Sequence, residues 1–296
     1  MDAGHSGRGG RPLVIVGRFA PSPTGYLHLG NLRTALVAWL SAHRRGNGRF
    51  IVRFEDLDRA TSSVELAAMQ LMDLQEMGIV PDEEPVFQSN RFAVYNAAID
   101  TLTKKGLTYP CFCTRREIAE AAVAPHQVPG MYPGTCRRMN ETERAERAAE
   151  KPAALRLDLA AAGMAGVPIH FTDMFMGEVS GHPDDVVLRR NDGVPSYNVA
   201  VVVDDFLQGV TEVVRGMDLA AITPTQIVLH HLFGFRIPDY GHVPLRMGPD
   251  GERMSKRHGA VTLGELEDEG VTAGEVREML LAEIAGFAPF LLPGPA

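Results

Sequence analysis

The sequence predicts an α/β fold: an open, mostly parallel sheet, interrupted by an inserted segment and followed by a helical C-terminal stretch. Two patterns near the N-terminus and one break in the middle predict it. Leu13 to Phe19 is a short apolar run with β-branched residues, and Arg49 to Glu55 alternates Phe50, Val52 and Phe54 with Ile51, Arg53 and Glu55, so both read as strands. Between them Leu29, Leu32, Leu36, Trp39 and Leu40 recur at helical spacing, which makes a strand, helix, strand unit of the right-handed crossover kind. From about residue 107 to 187 the chain then changes character, gathering all three cysteines and a loop rich in Pro and Gly.

The remaining elements follow in order. Ser62-x-x-Glu65 reads as the capping box of a second helix, with Val64, Ala67, Ala68, Leu71 and Leu74 on one face. Arg91 to Lys105 reads as a third helix, ended by Gly106. Inside the inserted segment, Glu141 to Lys151 is a charged helical stretch, and short strands are expected near Leu155 and Ile169. Ser196 to Val203 has the pattern of a buried strand at which the sheet resumes, Thr223 to Phe233 that of a helix, and Leu263, Leu266, Val276, Met279 and Leu280 mark a helical end. The expected division is a disordered leader at 1–11, a first half-sheet at 12–106, an insertion at 107–187, a second half-sheet at 188–240 and a C-terminal segment at 241–296.

With 296 residues, 45% of them apolar and 22% charged, the chain can bury a real core. No apolar run approaches the roughly 18 residues of a membrane span, and the Gly-rich start lacks the apolar centre of a signal peptide, which points to the cytoplasm. A formal charge of −8 argues against coating nucleic acid by bulk electrostatics. Local basic faces are still open at His43-Arg44-Arg45 with Arg49, and at Arg137-Arg138 with Arg144 and Arg147; each reads equally well as a solvated helix end or turn.

Chemistry concentrates in two segments. Pro21-Ser22-Pro23-Thr24-Gly25-Tyr26-Leu27-His28-Leu29-Gly30-Asn31 lies between the first strand and its helix, at the carboxyl end of a strand where open sheets bind ligands. A helix N-terminus there favours phosphate, His28 can add a hydrogen bond, and Gly25 and Gly30 allow close backbone approach. Far along the chain, Arg253-Met254-Ser255-Lys256-Arg257 follows a Gly-Pro-Asp-Gly turn and offers a cation for phosphate charge. Singly, His28 reads as structural and the second segment as an exposed basic turn.

Together, in this order, the two segments resemble the signature motifs of class I aminoacyl-tRNA synthetases, whose catalytic domain is Rossmann-like. The resemblance narrows to the glutamyl branch through Arg18-Phe19-Ala20-Pro21-Ser22-Pro23-Thr24-Gly25, Arg53-Phe54-Glu55-Asp56-Leu57-Asp58, Tyr197-Asn198, Val214-Arg215-Gly216-Met217-Asp218 and Ser255-Lys256-Arg257-His258-Gly259. It covers nearly all of the chain after residue 13. It implies a glutamate site at Arg18, Phe19, Ala20, Pro21, Ser22, Glu55, Tyr197 and Arg215. The implied ATP site is His28, Gly30, Asn31, Met254, Ser255 and Lys256, with His28 and Lys256 catalytic and Mg²⁺ accompanying the nucleotide. The residue chemistry agrees, because a dicarboxylic amino acid needs fixed cations such as Arg18 and Arg215, an anion such as Glu55 for its ammonium group, and a wall such as Tyr197. Taken one at a time, each of these four is equally a buried ion pair or a core tyrosine.

Three cysteines without a secretion signal do not suggest a disulfide framework. Cys111-x-Cys113 and Tyr132-x-x-x-Cys136 could instead converge on tetrahedral zinc. Ordinary glutamyl-tRNA synthetases pair the last cysteine with a nearby histidine, and here Arg138 stands two residues beyond Cys136. The pattern is similar to that of a short paralogous family whose members place glutamate on the queuosine base of tRNA(Asp), where a tyrosine completes the zinc sphere; His126 is the reserve ligand. The chain ends about forty residues after Arg257, without the long anticodon-reading domain of the glutamyl enzymes, and its Pro-rich tail reads as a natural ending. The resemblance therefore implies L-glutamate, ATP and queuosine-containing tRNA(Asp) as partners, structural zinc and a monomer. The alternatives are an enzyme that charges tRNA(Glu) at its 3′ end, a non-catalytic paralogue that binds tRNA or nucleotide, and a small nucleotidyltransferase.

Overall fold

The computed structural model describes residues 14–114, 116–118, 131–246 and 261–292. The leader at 1–11, His126, and Met254, Ser255 and Lys256 with their neighbours lie outside the described residues.

The opening unit is β1 (Val16–Phe19), α1 (Leu29–His43) and β2 (Arg49–Phe54). β1 and β2 run parallel, with Val16 opposite Arg49 and Phe19 opposite Val52. α1 buries Leu29, Leu32, Ala35, Leu36 and Ala42 against these strands. The packing is close: a side chain on Gly48 would sit 1.7 Å from the Ala42 carbonyl oxygen, so only glycine fits at that turn. Leu36 is fully buried, and its truncation to Ala would cost about 2–5 kcal/mol.

The chain continues through α2 (Val64–Glu76), β3 (Val86–Phe87) and α3 (Phe92–Lys104). The cap of α2 differs from the sequence expectation. Ser63, not Ser62, accepts the Leu66 amide, and Glu65 accepts a hydrogen bond from the Ser63 hydroxyl at 2.6 Å. The buried face is accordingly Ala67, Gln70 and Leu74, while Val64 and Ala68 face solvent.

The next stretch supplies β4 (Thr108–Cys111), the charged α4 (Glu141–Glu150), β5 (Ala154–Leu157), β6 (Ile169–Asp173), β7 (Gly177–Gly181) and β8 (Val187–Arg189). β4, β5 and β8 form a small antiparallel sheet of their own. The β6–β7 hairpin instead joins the large sheet, with Asp173 of β6 beside Tyr240.

Ser196 to Val203 is not a strand. It forms α5 (Tyr197–Leu207), buried from Val199 to Asp205 because it packs between α3 and α6 (Thr223–Phe233). A continuous apolar run is compatible with either a buried strand or a helix buried on all sides, and periodicity does not separate them. β9 (Glu212–Gly216) and β10 (Asp239–Val243) complete the large sheet. Its order is β3-β2-β1-β9-β10-β6-β7, all parallel except the terminal hairpin. α7 (Leu263–Asp268) and α8 (Ala273–Ala285) close over the α1 side of the core through Leu263, Val276, Leu280 and Ile284; Met279 lies at the surface. Among the described residues no helix is long and apolar enough to cross a membrane.

From β1 the chain builds outward to β2 and β3, then returns to add β9 and β10 on the other side of β1. The order thus reverses at β1 and β9, the position where parallel sheets open a crevice at their carboxyl ends.

Candidate active site

That crevice is a cavity of about 480 Å³. Each wall is the end of one strand: Arg18 to Ser22 leave β1, Glu55 leaves β2, Val214 to Gly216 finish β9, and Pro244 to Arg246 leave β10. Tyr197, at the start of α5, closes one side, and His28, Gly30 and Asn31 at the start of α1 close the other. Arg18, Phe19, Ala20, Pro21, Ser22, Glu55, Tyr197 and Arg215, distant in sequence, therefore share one space with His28, Gly30 and Asn31. Arg33, Asp218 and Arg246 line it too, and the sequence reading missed them as site residues.

The cationic end rests on buried acids. Arg18 is 3% exposed; its Nη1 donates to the Val214 carbonyl at 2.8 Å and its Nε lies 3.6 Å from Asp205. Asp205 also takes Arg53 Nη2 at 2.8 Å, and Arg53, fully buried, stands behind the cavity rather than in it. Burial alone would push the Asp205 carboxyl up, but Arg53 and Arg18 hold it below the usual carboxylate range. Two carboxylates, Asp204 and Asp205, inside an apolar run were the visible sign of this support.

Arg215 is held on both edges. Its Nε donates to His242 Nε2 at 3.2 Å, Nη1 to Gln226 Oε1 at 2.7 Å and Nη2 to the Thr223 hydroxyl at 2.8 Å. His242 Nδ1 is 2.6 Å from Asp173. The ring therefore carries its proton on Nδ1 and accepts with Nε2, and burial keeps it neutral by lowering its basicity. Burial would raise Asp173, but His242 and the backbone amides of Phe175, His242 and Met176 hold it ionised. No local motif joins Asp173, Arg215, Gln226 and His242; the β6–β10 pairing does. Asn198 accepts from Gln226 at 3.0 Å and supports this network from outside the cavity lining.

Glu55 faces these cations. Burial raises its carboxyl to about 7, with Arg53 and Arg18 pulling the other way. Of its neighbours in sequence, Phe54 is core and Asp56 caps the Ser89 turn.

His28 is the N-cap of α1. Its Nδ1 accepts the Asn31 amide at 3.2 Å and the Asn31 side chain accepts the His28 amide at 3.2 Å, a reciprocal box built from His and Asn. With Nδ1 as acceptor, a neutral ring bears its proton on Nε2, so the donor edge is fixed by the cap. The first-turn amides are thus only partly open: Leu29 donates to the Val261 carbonyl at 3.0 Å and Asn31 is capped, while neither contact occupies the Gly30 amide. A side chain on Gly30 would meet the His28 ring at 2.9 Å, which explains glycine there.

A second cavity, of about 650 Å³, adjoins the first through Ser22, Glu55 and Tyr197. Lys151, Arg156, Arg190 and Asn191 line it, and its far wall is Cys111, Phe112 and Cys113.

At that wall the ligand atoms of Cys111, Cys113 and Cys136 all lie within 4.8 Å of one another. The Tyr132 hydroxyl is 3.4 Å from both the Cys111 and Cys113 sulfurs. The Cys136 amide donates to the Tyr132 oxygen at 2.9 Å and the Phe112 amide to the Cys136 sulfur at 3.3 Å. Cys136 is lowered from the usual thiol range: burial would raise it, but Tyr132 and the Phe112 amide prevail. The Tyr132 phenol is pushed up instead, by burial and by its hydrogen bonds to the cysteine thiols, against the pull of the Cys136 amide. Three sulfurs and a phenol oxygen, mostly buried, with outer-shell donors, make a donor set that a tetrahedral soft metal fits.

The two basic faces are neutralised in part. Arg44 pairs with Glu212 at 2.6 Å, His43 with Asp82 at 3.3 Å, and Arg49 with Glu83. Arg137 pairs with Asp185 at 2.7 Å, Arg138 and Arg144 bond backbone carbonyls, and Arg147 lies 3.8 Å from Glu150.

Residues 14–286 match the family model described as the catalytic domain of class I tRNA synthetases of the E and Q type. The chain is 50% identical over 274 residues to the glutamyl-Q tRNA(Asp) synthetase of Nocardia farcinica, covering 92% of this chain and 85% of that one. It is 46% identical to that of Symbiobacterium thermophilum, covering 88% and 83%. Among solved structures, the glutamate-tRNA synthetase of Elizabethkingia anophelis superposes with a TM-score of 0.71 at 32% identity. That match covers 83% of this chain and 53% of the larger protein, so this chain spans about half of it.

Proposed function

Because this chain belongs to the class I tRNA synthetases of the glutamate and glutamine type, we propose that it joins L-glutamate to ATP as glutamyl-adenylate and passes the glutamyl group to the queuosine base at the wobble position of tRNA(Asp). The observation that carries this reading is the single cavity in which Arg18, Arg215, Glu55 and Tyr197 meet His28, Gly30 and Asn31. It offers glutamate and a nucleotide adjacent seats.

Arg18 and Arg215, each braced by buried partners, hold the glutamate carboxylates as fixed cations, and Glu55 takes the ammonium group. The α-carboxylate oxygen attacks the α-phosphorus of ATP in line; the bond from that phosphorus to the bridging oxygen breaks and pyrophosphate leaves. His28 donates from Nε2 to the phosphates and the start of α1 adds its dipole. We assign Lys256 the same charge-stabilising role, with Met254 and Ser255 at the nucleotide. Mg²⁺, when bound with ATP, offsets further phosphate charge. A hydroxyl of the queuosine ring then attacks the acyl carbon, the bond to the phosphate oxygen breaks, and AMP departs with the proton. Alignment supplies most of the rate, since the anhydride is already activated.

The second cavity suits the approach of the acceptor base, because it opens onto Glu55 and Tyr197; of the cations that line it, Arg190 pairs with Asp192 at 2.6 Å and Lys151 lies 4.0 Å from Glu117. We further assign Cys111, Cys113, Cys136 and Tyr132 to a structural zinc ion. Its contribution is to tie the end of β4 to the Tyr132–Cys136 turn, and no step of the reaction passes through it.

Glutamate-dependent exchange of pyrophosphate into ATP, measured with and without tRNA(Asp), tests the activation step. Exchange with glutamate but not glutamine supports it; no exchange with glutamate under either condition contradicts it.

A further inference from the structure

The two oxygens of Asp173 serve different partners. Asp173 ends β6 and leads into the β6–β7 hairpin. Its Oδ1 accepts the amides of Phe175 and Met176, each at 3.0 Å, and that of His242 at 3.1 Å. The turn thus needs one acceptor oxygen, which an asparagine would supply equally well. Oδ2 takes no part in the turn: it lies 2.6 Å from His242 Nδ1 and 3.1 Å from the His242 amide. Both side chains are fully buried, where a charge is costly, so the second oxygen marks a demand made by the His242 ring.

The other side of that ring meets a cation of the cavity. His242 Nε2 accepts Arg215 Nε at 3.2 Å and lies 3.1 Å from the Thr223 hydroxyl. With the ring proton on Nδ1, toward Asp173, Nε2 presents a lone pair; the opposite tautomer would set N–H against N–H. Arg18 is held differently, with the Asp205 carboxylate that it shares with Arg53 lying 3.6 Å from its Nε. Among the described residues Arg215 bonds neutral acceptors: the imidazole, the Gln226 and Thr223 side chains and the Leu219 carbonyl. A carboxylate in direct contact would fix Arg215 but also offset its charge and compete with a ligand carboxylate. Asp173, behind the ring, orients Arg215 through a neutral acceptor.

We infer that Asp173 is a positioning residue of the glutamate seat: it holds His242 in the tautomer whose Nε2 accepts Arg215, and so keeps that guanidinium oriented with its charge left for the ligand. The inference rests on the reading that the cavity takes glutamate. It ties glutamate affinity to the β6–β7 hairpin, which lies at the edge of the sheet.

The test compares the parent protein with Asp173→Asn, His242→Gln and the Asp173→Asn/His242→Gln double variant. In Asp173→Asn the backbone amides keep the asparagine oxygen at the Oδ1 position, so its NH2 faces Nδ1 and drives the ring proton to Nε2, donor against donor with Arg215. Nitrogen NMR of the histidine rings, with the His242 signals identified by their loss in His242→Gln, reads the tautomer. Pyrophosphate exchange reads KM for glutamate and for ATP, and titration calorimetry the Kd for glutamate. The parent ring is expected to carry its proton on Nδ1, and that of Asp173→Asn on Nε2. Glutamate KM and Kd are expected to rise about 10- to 100-fold in Asp173→Asn, the scale of a buried donor left unpaired, while ATP KM stays within about twofold. The amide oxygen of His242→Gln can accept Arg215 whatever stands at position 173, so the double variant is expected to match His242→Gln alone. A parent ring protonated on Nε2, glutamate binding by Asp173→Asn as tight as in the parent, or equal weakening of glutamate and ATP overturns the inference. Additive losses in the double variant overturn the action through His242. A parent without exchange contradicts the functional reading instead, and the ring tautomers still decide the role of Asp173.

Discussion

The backbone of Thr262 bridges that of His28 in antiparallel fashion, and the neighbouring Val261 carbonyl accepts the Leu29 amide at 3.0 Å. Arg246, on the other side of residues 247–260, packs over Gly30. The chain that enters and leaves the second signature segment is thus attached at both sides to the start of α1, where the first signature lies. These contacts bring both flanks of residues 247–260 to the start of α1, more than two hundred residues away in sequence.

His28 has two separable duties, and substitution can divide them. Asparagine is a good N-cap but has no donor at the Nε2 position, so His28→Asn is expected to keep the melting temperature and slow adenylate formation about 10²-fold. His28→Ala is expected to lose about 0.5–2 kcal/mol of stability as well. Thermal melts and single-turnover activation read the two effects, and an unchanged rate in His28→Asn would reject the donor role.

Glutamate affinity is expected to depend on pH through Glu55. Its carboxyl is raised to about 7 by burial, against the pull of Arg53 and Arg18, and an ammonium ligand needs it ionised. Protonation below about pH 7 therefore weakens binding, while the free amino acid keeps its charges from about pH 5 to 8. Calorimetric titration with glutamate alone is expected to show Kd rising as pH falls from 8 to 6, and Glu55→Gln to bind weakly with no such slope. A flat profile in the parent would remove Glu55 from the ammonium seat.

Asp205 supports two buried arginines, so its removal leaves uncompensated charge. Asp205→Ala is expected to cost about 3–5 kcal/mol in urea unfolding and to abolish glutamate binding through Arg18. A loss below about 1 kcal/mol, within the range of exposed pairs, would show that Arg18 and Arg53 do not depend on it.

Purified protein is expected to carry one zinc per chain. Tyr132→Phe is expected to weaken retention against a chelator by about 10- to 100-fold, and Cys136→Ser more, with lower melting temperatures. Elemental analysis showing no stoichiometric metal in fully active protein would dismiss the assignment.

The β1–α1–β2 unit was readable because Leu29, Leu32 and Leu36 share one face and the strands carry their own alternation. The cavity's principal residues were readable because they sit in short segments at strand ends. What was hidden has physical reasons. α5 is buried all round, so its Val-rich run lost the helical period; the cap of α1 uses His and Asn, not the usual Ser and Glu. The braces Asp173, His242, Gln226 and Glu283 reach the site only through strand pairing and helix docking, and their separation in sequence leaves no pattern. Cys111, Cys113, Tyr132 and Cys136 were legible as a spacing, and their side chains do converge.

The most direct test of the central claim is transfer. The protein is incubated with ATP and labelled glutamate and offered tRNA(Asp) with queuosine, tRNA(Asp) without it, and tRNA(Glu). The account predicts label on queuosine-containing tRNA(Asp) alone; label on tRNA(Glu) alone would contradict it.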